Sequence, residues 1–186
     1  MPSKPRPAPA LPTVDQAAPP PLQGLAPIIS PQTRLMVLGS FPGVASLVEQ
    51  QYYAHPRNHF WPILSALWGL EGDAALQRRP YAERIAEAQR RGLGIWDVYA
   101  SCLREGSLDS DIEQAELNPL HQLKAWAPGL QAIAHNGGES ARHRKITQAL
   151  GLPVVKLPST SPANASWSFE RKVADWRDVF EQVGLA

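Results

Sequence analysis

Cysteine is nearly missing from this chain: Cys102 stands alone. No intramolecular disulfide can form, and zinc sites built from several thiolates are excluded. That is the pattern of a protein kept in a reducing, intracellular compartment. Cys102 itself reads as a small buried apolar residue. No apolar run approaches the roughly 20 residues that a membrane-spanning helix needs. Lys4 and Arg6 are followed by no apolar stretch, which speaks against a secretory signal. A cytoplasmic protein without a membrane partner is expected. Charge is scarce too: the formal net value is +1. Contact with nucleic acid would have to rest on a local patch, because no global basic field exists.

Proline is plentiful but unevenly spread. Pro2, Pro5, Pro7, Pro9, Pro12 and the run Pro19-Pro20-Pro21 crowd the first stretch, with few large apolar groups between them. Proline removes backbone donors and fixes φ, so residues 1–27 read as an extended, disordered tail. The remainder, 28–186, reads as one globular domain. The chain of 186 residues is long enough to bury a single sizeable core.

Leu35-Met36-Val37-Leu38, ending at Gly39, is a short continuous apolar run that suits a strand buried on both faces. Leu93 to Val98, Leu130 to Ala134 and Pro153 to Leu157 resemble it. Amphipathic stretches lie between the runs: Tyr81 to Arg91 stops before Gly92, and Glu139 to Leu150 stops before Gly151. A last helix over Phe169 to Val183 puts Phe169, Val173, Trp176, Val179, Phe180 and Val183 on one face. Alternating strands and helices predict an α/β protein, a three-layer α/β/α sandwich around a four-stranded parallel sheet. Ligands bind such sheets beyond the carboxyl ends of the strands, so the loops after Leu38, Val98, Ala134 and Leu157 should meet at one cleft.

Two segments carry the chemistry. Gly39-Ser40-Phe41-Pro42-Gly43 is a rigid turn directly after a buried strand, where backbone can approach a ligand closely. Gln50-Gln51-Tyr52-Tyr53-Ala54-His55-Pro56-Arg57-Asn58-His59-Phe60-Trp61 then packs aromatic, imidazole, amide and guanidinium groups into a dozen residues. A packing corner rarely needs so many polar groups beside its aromatics.

These residues resemble the first motif of the uracil-DNA glycosylase superfamily and the segment that follows it. The match is closest to its hypoxanthine-DNA (DNA-deoxyinosine) glycosylase family. The family's pattern is Gly-Ser-x-Pro-Gly, then Gln-Tyr-Tyr-x-His-Pro-x-Asn-x-Phe-Trp. Trp96-Asp97-Val98, Arg104 to Ser110, Asn136-Gly137 and Leu157 to Asn164 resemble it further, in the family's order. The resemblance covers residues 34 to 167. It implies a catalytic domain that extrudes a deaminated base and hydrolyses its N-glycosidic bond, initiating base excision repair. Hypoxanthine comes first; xanthine or uracil are alternatives. The implied partner is DNA containing deaminated bases, met by a monomer without a cofactor or metal.

Two departures from the wider superfamily stand out. The Asp or Asn next to the motif's proline is Phe41 here, and the His or Asn that often opens the later motif is Leu157. The hypoxanthine family shares both losses, and in it the amide in the position of Asn58 is the one implicated in catalysis. The chemistry tolerates this, since departure of a base needs both developing charges held and a water placed more than it needs a strong base. Asn58 equally suits the start of the helix predicted over Phe60 to Leu67.

The resemblance implies the remaining roles. Tyr53 is the aromatic on which the base stacks, and Phe41 closes the other face. Gly39, Ser40 and Gly43 offer backbone N–H groups for charge on the leaving base. Asp97 stands where the base edge is read, with a loop acid or helix cap as its alternative. His55 is either a structural histidine or a group that stabilises the leaving base. Ser159, Thr160, Ser161 and Asn164 suit phosphate contacts in the DNA groove. Arg142, His143, Arg144 and Lys145 read as a solvated helix face.

Other classes remain open at this point. Ser40, His55 and Asp97 are the residue types of a serine hydrolase, although Gly39-Ser40-Phe41 lacks the strained Gly-x-Ser-x-Gly elbow. A non-catalytic nucleotide- or lesion-binding module is the third reading.

Overall fold

A computed structural model describes residues 20–186, and structural statements below concern those residues. Seven strands run in chain order: β1 (Leu22–Gln23), β2 (Leu35–Gly39), β3 (Leu93–Asp97), β4 (Tyr99–Leu103), β5 (Glu113–Leu117), β6 (Ala132–Asn136) and β7 (Val154–Leu157). The α-helices are α1 (Val44–Glu49), α2 (Phe60–Leu67), α3 (Tyr81–Arg91), α4 (Leu123–Trp126), α5 (Gly138–Ala141), α6 (Arg144–Gln148) and α7 (Phe169–Gln182).

The four apolar runs form one parallel sheet in the order β3-β2-β6-β7, flanked by helices as a three-layer α/β/α sandwich. Leu35 to Leu38 are completely buried. Helices cover both faces of this sheet, so the strand has no solvent side and needs no alternation of polar residues. The register sets Gly39 beside Asp97, Leu38 beside His135, and Asn136 beside Leu157. The apolar strands thus end together in polar residues at one edge.

Helix ends follow their local chemistry. Ser168 caps α7, its Oγ accepting from Arg171 N at 3.3 Å. Gly92 stops α3 with φ +85°, a left-handed value that a side chain resists. The Arg34 guanidinium donates to the carbonyls of Arg91 and Val183, holding the final turns of α3 and α7 with one side chain. Phe60 of α2 meets Trp176 of α7 edge-on at 5.8 Å, which locks the segment before α2 against the last helix.

Three expectations change. Glu139 to Leu150 is not one helix: α5 and α6 are separated at Arg142–His143, where N–H groups bond three residues back, His143 N to Ser140 O at 3.2 Å. His143 is drawn there to Tyr99, its Nε2 lying 2.8 Å from the hydroxyl. A second, antiparallel sheet of order β1-β4-β5 grows where the chain leaves β3 at Val98. β5 is exposed along its whole length and carries no apolar alternation. Finally, the ordered domain begins before residue 28. Leu22 and Gln23 pair with Cys102 and Ser101, and Gly24 N donates to Ala100 O at 2.7 Å. Leu22 and Leu25 pack on the core, an apolar spacing hidden among the prolines. The expected disorder of residues 1–19 lies outside the described residues. Among the described residues no helix is long and apolar enough to cross a membrane.

Candidate active site

The loops that follow β2, β3, β6 and β7 do meet, around a cavity of about 440 Å³. That size lies within the ~300–1,000 Å³ usual for small-molecule sites. Every residue singled out above for catalysis, substrate or DNA contact lines it: Gly39, Ser40, Phe41, Gly43, Tyr53, His55, Asn58, Asp97, Ser159, Thr160, Ser161 and Asn164.

Gly39 is fixed by its neighbour. A Cβ there would overlap Asp97 Oδ1 and approach Tyr53 Oη to 3.3 Å, so only glycine admits the carboxyl this close to β2. Ser40 Oγ donates to Asp109 Oδ1 at 2.6 Å. Phe41 is 6% exposed, with the Arg104 guanidinium 5.1 Å from its ring centre. It is more a wall of the core than an open stacking face.

Tyr53 has φ +56°, an uncommon value for a bulky residue, and its ring stacks on Phe60 at 3.8 Å. One ring face is thereby taken by protein. Burial and nearby Asp97 push its hydroxyl pKa up, so it stays a neutral donor. Asn58 Oδ1 accepts from Phe60 N at 3.0 Å, and Asn58 N donates to His55 O at 2.8 Å. The amide therefore does steady the start of α2. Its carbonyl oxygen keeps a second lone pair, and it lines the cavity. His55 Nδ1 accepts from Arg57 N at 3.1 Å, a local turn contact.

Asn136, at the end of β6, is the junction of the site. Its Nδ2 donates to Tyr53 Oη at 3.2 Å and to Thr160 Oγ1 at 2.9 Å, while Oδ1 accepts from Thr160 N at 3.0 Å. One amide ties three of the lining segments together. Thr160 is 1% exposed as a result. It anchors the loop from within, and its hydroxyl is not at the surface where a phosphate would meet it. Ser159 Oγ and Ser161 Oγ accept backbone N–H groups of Ser161 and Ala163, both at 3.2 Å, and Asn164 Nδ2 donates to Ser159 O at 3.1 Å. These side chains shape a tight turn. From behind, α7 holds it: Lys172 Nζ donates to Asn164 O at 3.0 Å and Trp176 Nε1 to Pro158 O at 3.2 Å.

The β4–β5 hairpin closes another side through Ser107, Leu108, Asp109 and Ser110. Ser107 Oγ accepts from Val44 N at 2.9 Å and Arg104 donates to Pro42 O; with the Ser40–Asp109 bond, these pin the hairpin to the first motif and to the start of α1.

Asp97 is the electrostatic anomaly. It is 4% exposed, and neither carboxyl oxygen accepts a hydrogen bond from the described residues; Oδ2 is sealed from solvent as well. Burial raises its pKa to about 7, helped by the Asp109 charge and opposed by Arg104.

Serine-hydrolase chemistry finds no relay here. Ser40 gives its proton to Asp109, His55 bonds its own turn, and Asp97 touches neither of them by a hydrogen bond. The sequence reading gave no role to Asn136, Ser107 or Asp109, although each lies in a segment it had marked. For Asn136 the signal was its place at a parallel strand's carboxyl end. For the other two, only tertiary contact reveals the role.

Residues 26–180 match the family model described as uracil DNA glycosylase superfamily. The chain is 35% identical over 160 residues to a protein of Methanosarcina barkeri named hypoxanthine DNA glycosylase, covering 86% of this chain and 98% of that one. A Methanosarcina acetivorans protein of the same name is 32% identical over 158 residues, covering 85% and 97%. The solution NMR structure of a M. acetivorans protein, provisionally named a uracil DNA glycosylase, superposes with a TM-score of 0.77. It is 31% identical and covers 87% of this chain and 98% of that one.

Proposed function

The chain belongs to the uracil DNA glycosylase superfamily, and from that premise we propose that it is a monofunctional DNA glycosylase. It extrudes a deaminated base, hypoxanthine before xanthine or uracil, and hydrolyses the N-glycosidic bond as the first step of base excision repair. The observation that carries this is the convergence of the Gly39–Gly43 turn, Asn58, Asn136 and the Ser159–Asn164 turn on one cavity at the carboxyl edge of the sheet. The names of the Methanosarcina relatives support the choice of hypoxanthine.

A base turned out of the stack enters between Tyr53 and the first motif. The open face of Tyr53 takes the ring; the other already rests on Phe60. Asn58 acts through its carbonyl oxygen. The bond from Phe60 N fixes the amide plane, and the remaining lone pair aligns a water and faces the positive sugar. An amide cannot remove a proton from water at neutral pH, so the rate comes from stabilising separated charge. Backbone N–H groups around Ser40 and Gly43 receive negative charge on the departing base, and His55, which lines the same cavity, shares that task. The Ser159–Asn164 turn presents its outer backbone to the DNA strand, fixing register without reading sequence.

No lysine lines the cavity among the described residues, so no Schiff-base step is built in. The test is a cleavage panel. Duplexes carrying one hypoxanthine, xanthine or uracil are incubated with the protein and divided between alkali and buffer. The expected result is strand scission only after alkali, strongest for hypoxanthine. A panel with no alkali-labile site for any lesion ends the proposal; scission without alkali ends its monofunctional part.

A further inference from the structure

Charge is distributed unevenly around the cavity. On one side stands the β4–β5 hairpin, whose stretch from Glu105 to Glu116 carries five acids and no base. On the other side lie two stretches without an acid, between Glu49 and Glu71 and between Glu139 and Glu170. The first supplies His55 and Asn58 to the lining, and the second supplies the Ser159–Asn164 turn. The two meet where His59 N donates to Thr160 O at 3.0 Å and the His59 ring stands edge-on to Phe169 at 5.4 Å. Arg57 lies two residues before His59 and Arg171 two residues beyond Phe169, and both are exposed.

Neither arginine is neutralised. Elsewhere on the surface Arg78, Arg79, Arg90, Arg91 and Arg142 all form ion pairs. Among the described residues no carboxylate pairs with Arg57 or Arg171, although Glu170 and Asp175 lie near Arg171 along α7. Arg171 is instead laid on the ring of Trp167, its guanidinium carbon 3.8 Å from the ring centre. Stacking occupies the face of the guanidinium and leaves its N–H edge free, with part of the side chain's freedom already lost. The bond from Arg171 N to Ser168 Oγ fixes the backbone beneath it. A planar edge of donors held in this way suits two oxygens of one phosphate.

We propose that Arg171, set in place by Trp167, and Arg57 each hold a phosphate of the strand that carries the extruded base. This rests on the glycosylase proposal and adds to it the path of that strand. The strand runs along the Ser159–Asn164 turn and the start of α7, away from the acidic hairpin. Because the whole chain carries a net charge of only +1, such local contacts supply the salt-dependent part of the affinity.

Fluorescence anisotropy of the full chain with a labelled duplex, with and without one hypoxanthine, between about 50 and about 200 mM KCl tests this without requiring turnover. Wild-type affinity should fall with salt on both duplexes. Arg171→Ala and Arg57→Ala should each make log affinity against log salt shallower by about 0.9, on both duplexes alike. Arg171→Lys keeps the charge and should keep the wild-type slope. Trp167→Ala should keep the slope as well but bind about two- to fivefold more weakly. A wild-type slope in either arginine-to-alanine variant overturns the proposal, as does a loss confined to the hypoxanthine duplex. So does an Arg171→Lys slope as shallow as that of Arg171→Ala, or a Trp167→Ala variant that binds like the wild type. A protein with the expected slopes that opens no abasic site in the cleavage panel sinks the glycosylase reading and leaves the phosphate contacts standing. One that opens abasic sites with slopes unmoved by the variants does the reverse.

Discussion

Two buried ionisable side chains flank β2 at its carboxyl end, and the protein treats them in opposite ways. His135, beside Leu38, is completely buried, and both ring nitrogens have partners: Nδ1 with Ser140 Oγ at 2.7 Å and Nε2 with Thr147 Oγ1 at 2.9 Å. Ser140 in turn gives its proton to Leu38 O at 2.7 Å, so the imidazole is stitched to α5, α6 and the sheet. Asp97, beside Gly39, is nearly as buried and has nothing. The first arrangement is what a stable interior demands of a polar group. The second makes sense only if something else completes it. Polarity at a strand end does not mark a site; an unmet hydrogen-bonding need facing a cavity does.

The widest gap between the two sides should show in turnover. Asn58→Ala is expected to lower the single-turnover rate on hypoxanthine-containing duplex on the order of a hundredfold or more. Retention of that duplex in a gel-shift assay should survive. His135→Leu should leave both nearly as they are, because its cluster lies outside the cavity lining. Unchanged turnover in Asn58→Ala would remove that amide from the mechanism.

Next comes stability against pH, where the two groups act in the same window with opposite signs. Burial drives the His135 pKa down to about 4. Its stabilising effect is complete above the ordinary histidine range and is lost as pH falls through about 4. Asp97 is raised, so its effect is complete below the ordinary carboxylate range and is lost as pH climbs through about 7. Each swing is on the order of 3 kcal/mol, and the two offset one another in the wild type. Replacing one should unmask the other. Asp97→Asn should gain stability to urea as pH rises from about 4 to about 7, and His135→Leu should lose it. Parallel curves for the two variants would erase the contrast.

The smallest effect concerns charge. Arg144, Lys145 and Lys156 line a separate cavity on the His135 side. If DNA is met only on the Asp97 side, Arg144→Ala with Lys145→Ala should change duplex affinity less than about twofold and leave its salt dependence alone. A clear drop in the salt slope would extend the interface to this face.

The main sheet was legible because a strand covered on both sides has to be apolar throughout, as Leu35 to Leu38 are; the edge strand β7, half-buried with Lys156 exposed, follows that rule least. The common cleft followed from the rule of strand carboxyl ends, and the resemblance of the Gly39 and His55 segments put names to it. Glu113 to Leu117 could not be foreseen as a strand, since its exposed residues carry no alternation and pairing with β4 alone defines it. Leu22–Gln23 was hidden by its prolines in the same way. Asn58 was read as serving the cavity or the helix start, and it lines the one and bonds Phe60 N of the other, while the inward turn of Thr160 depends on Asn136, far away along the chain. Whether a buried carboxyl has partners is a property of everything that surrounds it, which no local pattern encodes.

The overlap that any Cβ at position 39 would make with Asp97 Oδ1 couples two positions that a sequence comparison would score separately. An alanine at 39 requires the Asp97 carboxyl to leave its present position or a shorter residue to replace it. Libraries meant to retune the pocket should therefore vary the pair together. Scanned one at a time, combinations that work only as a pair go untested.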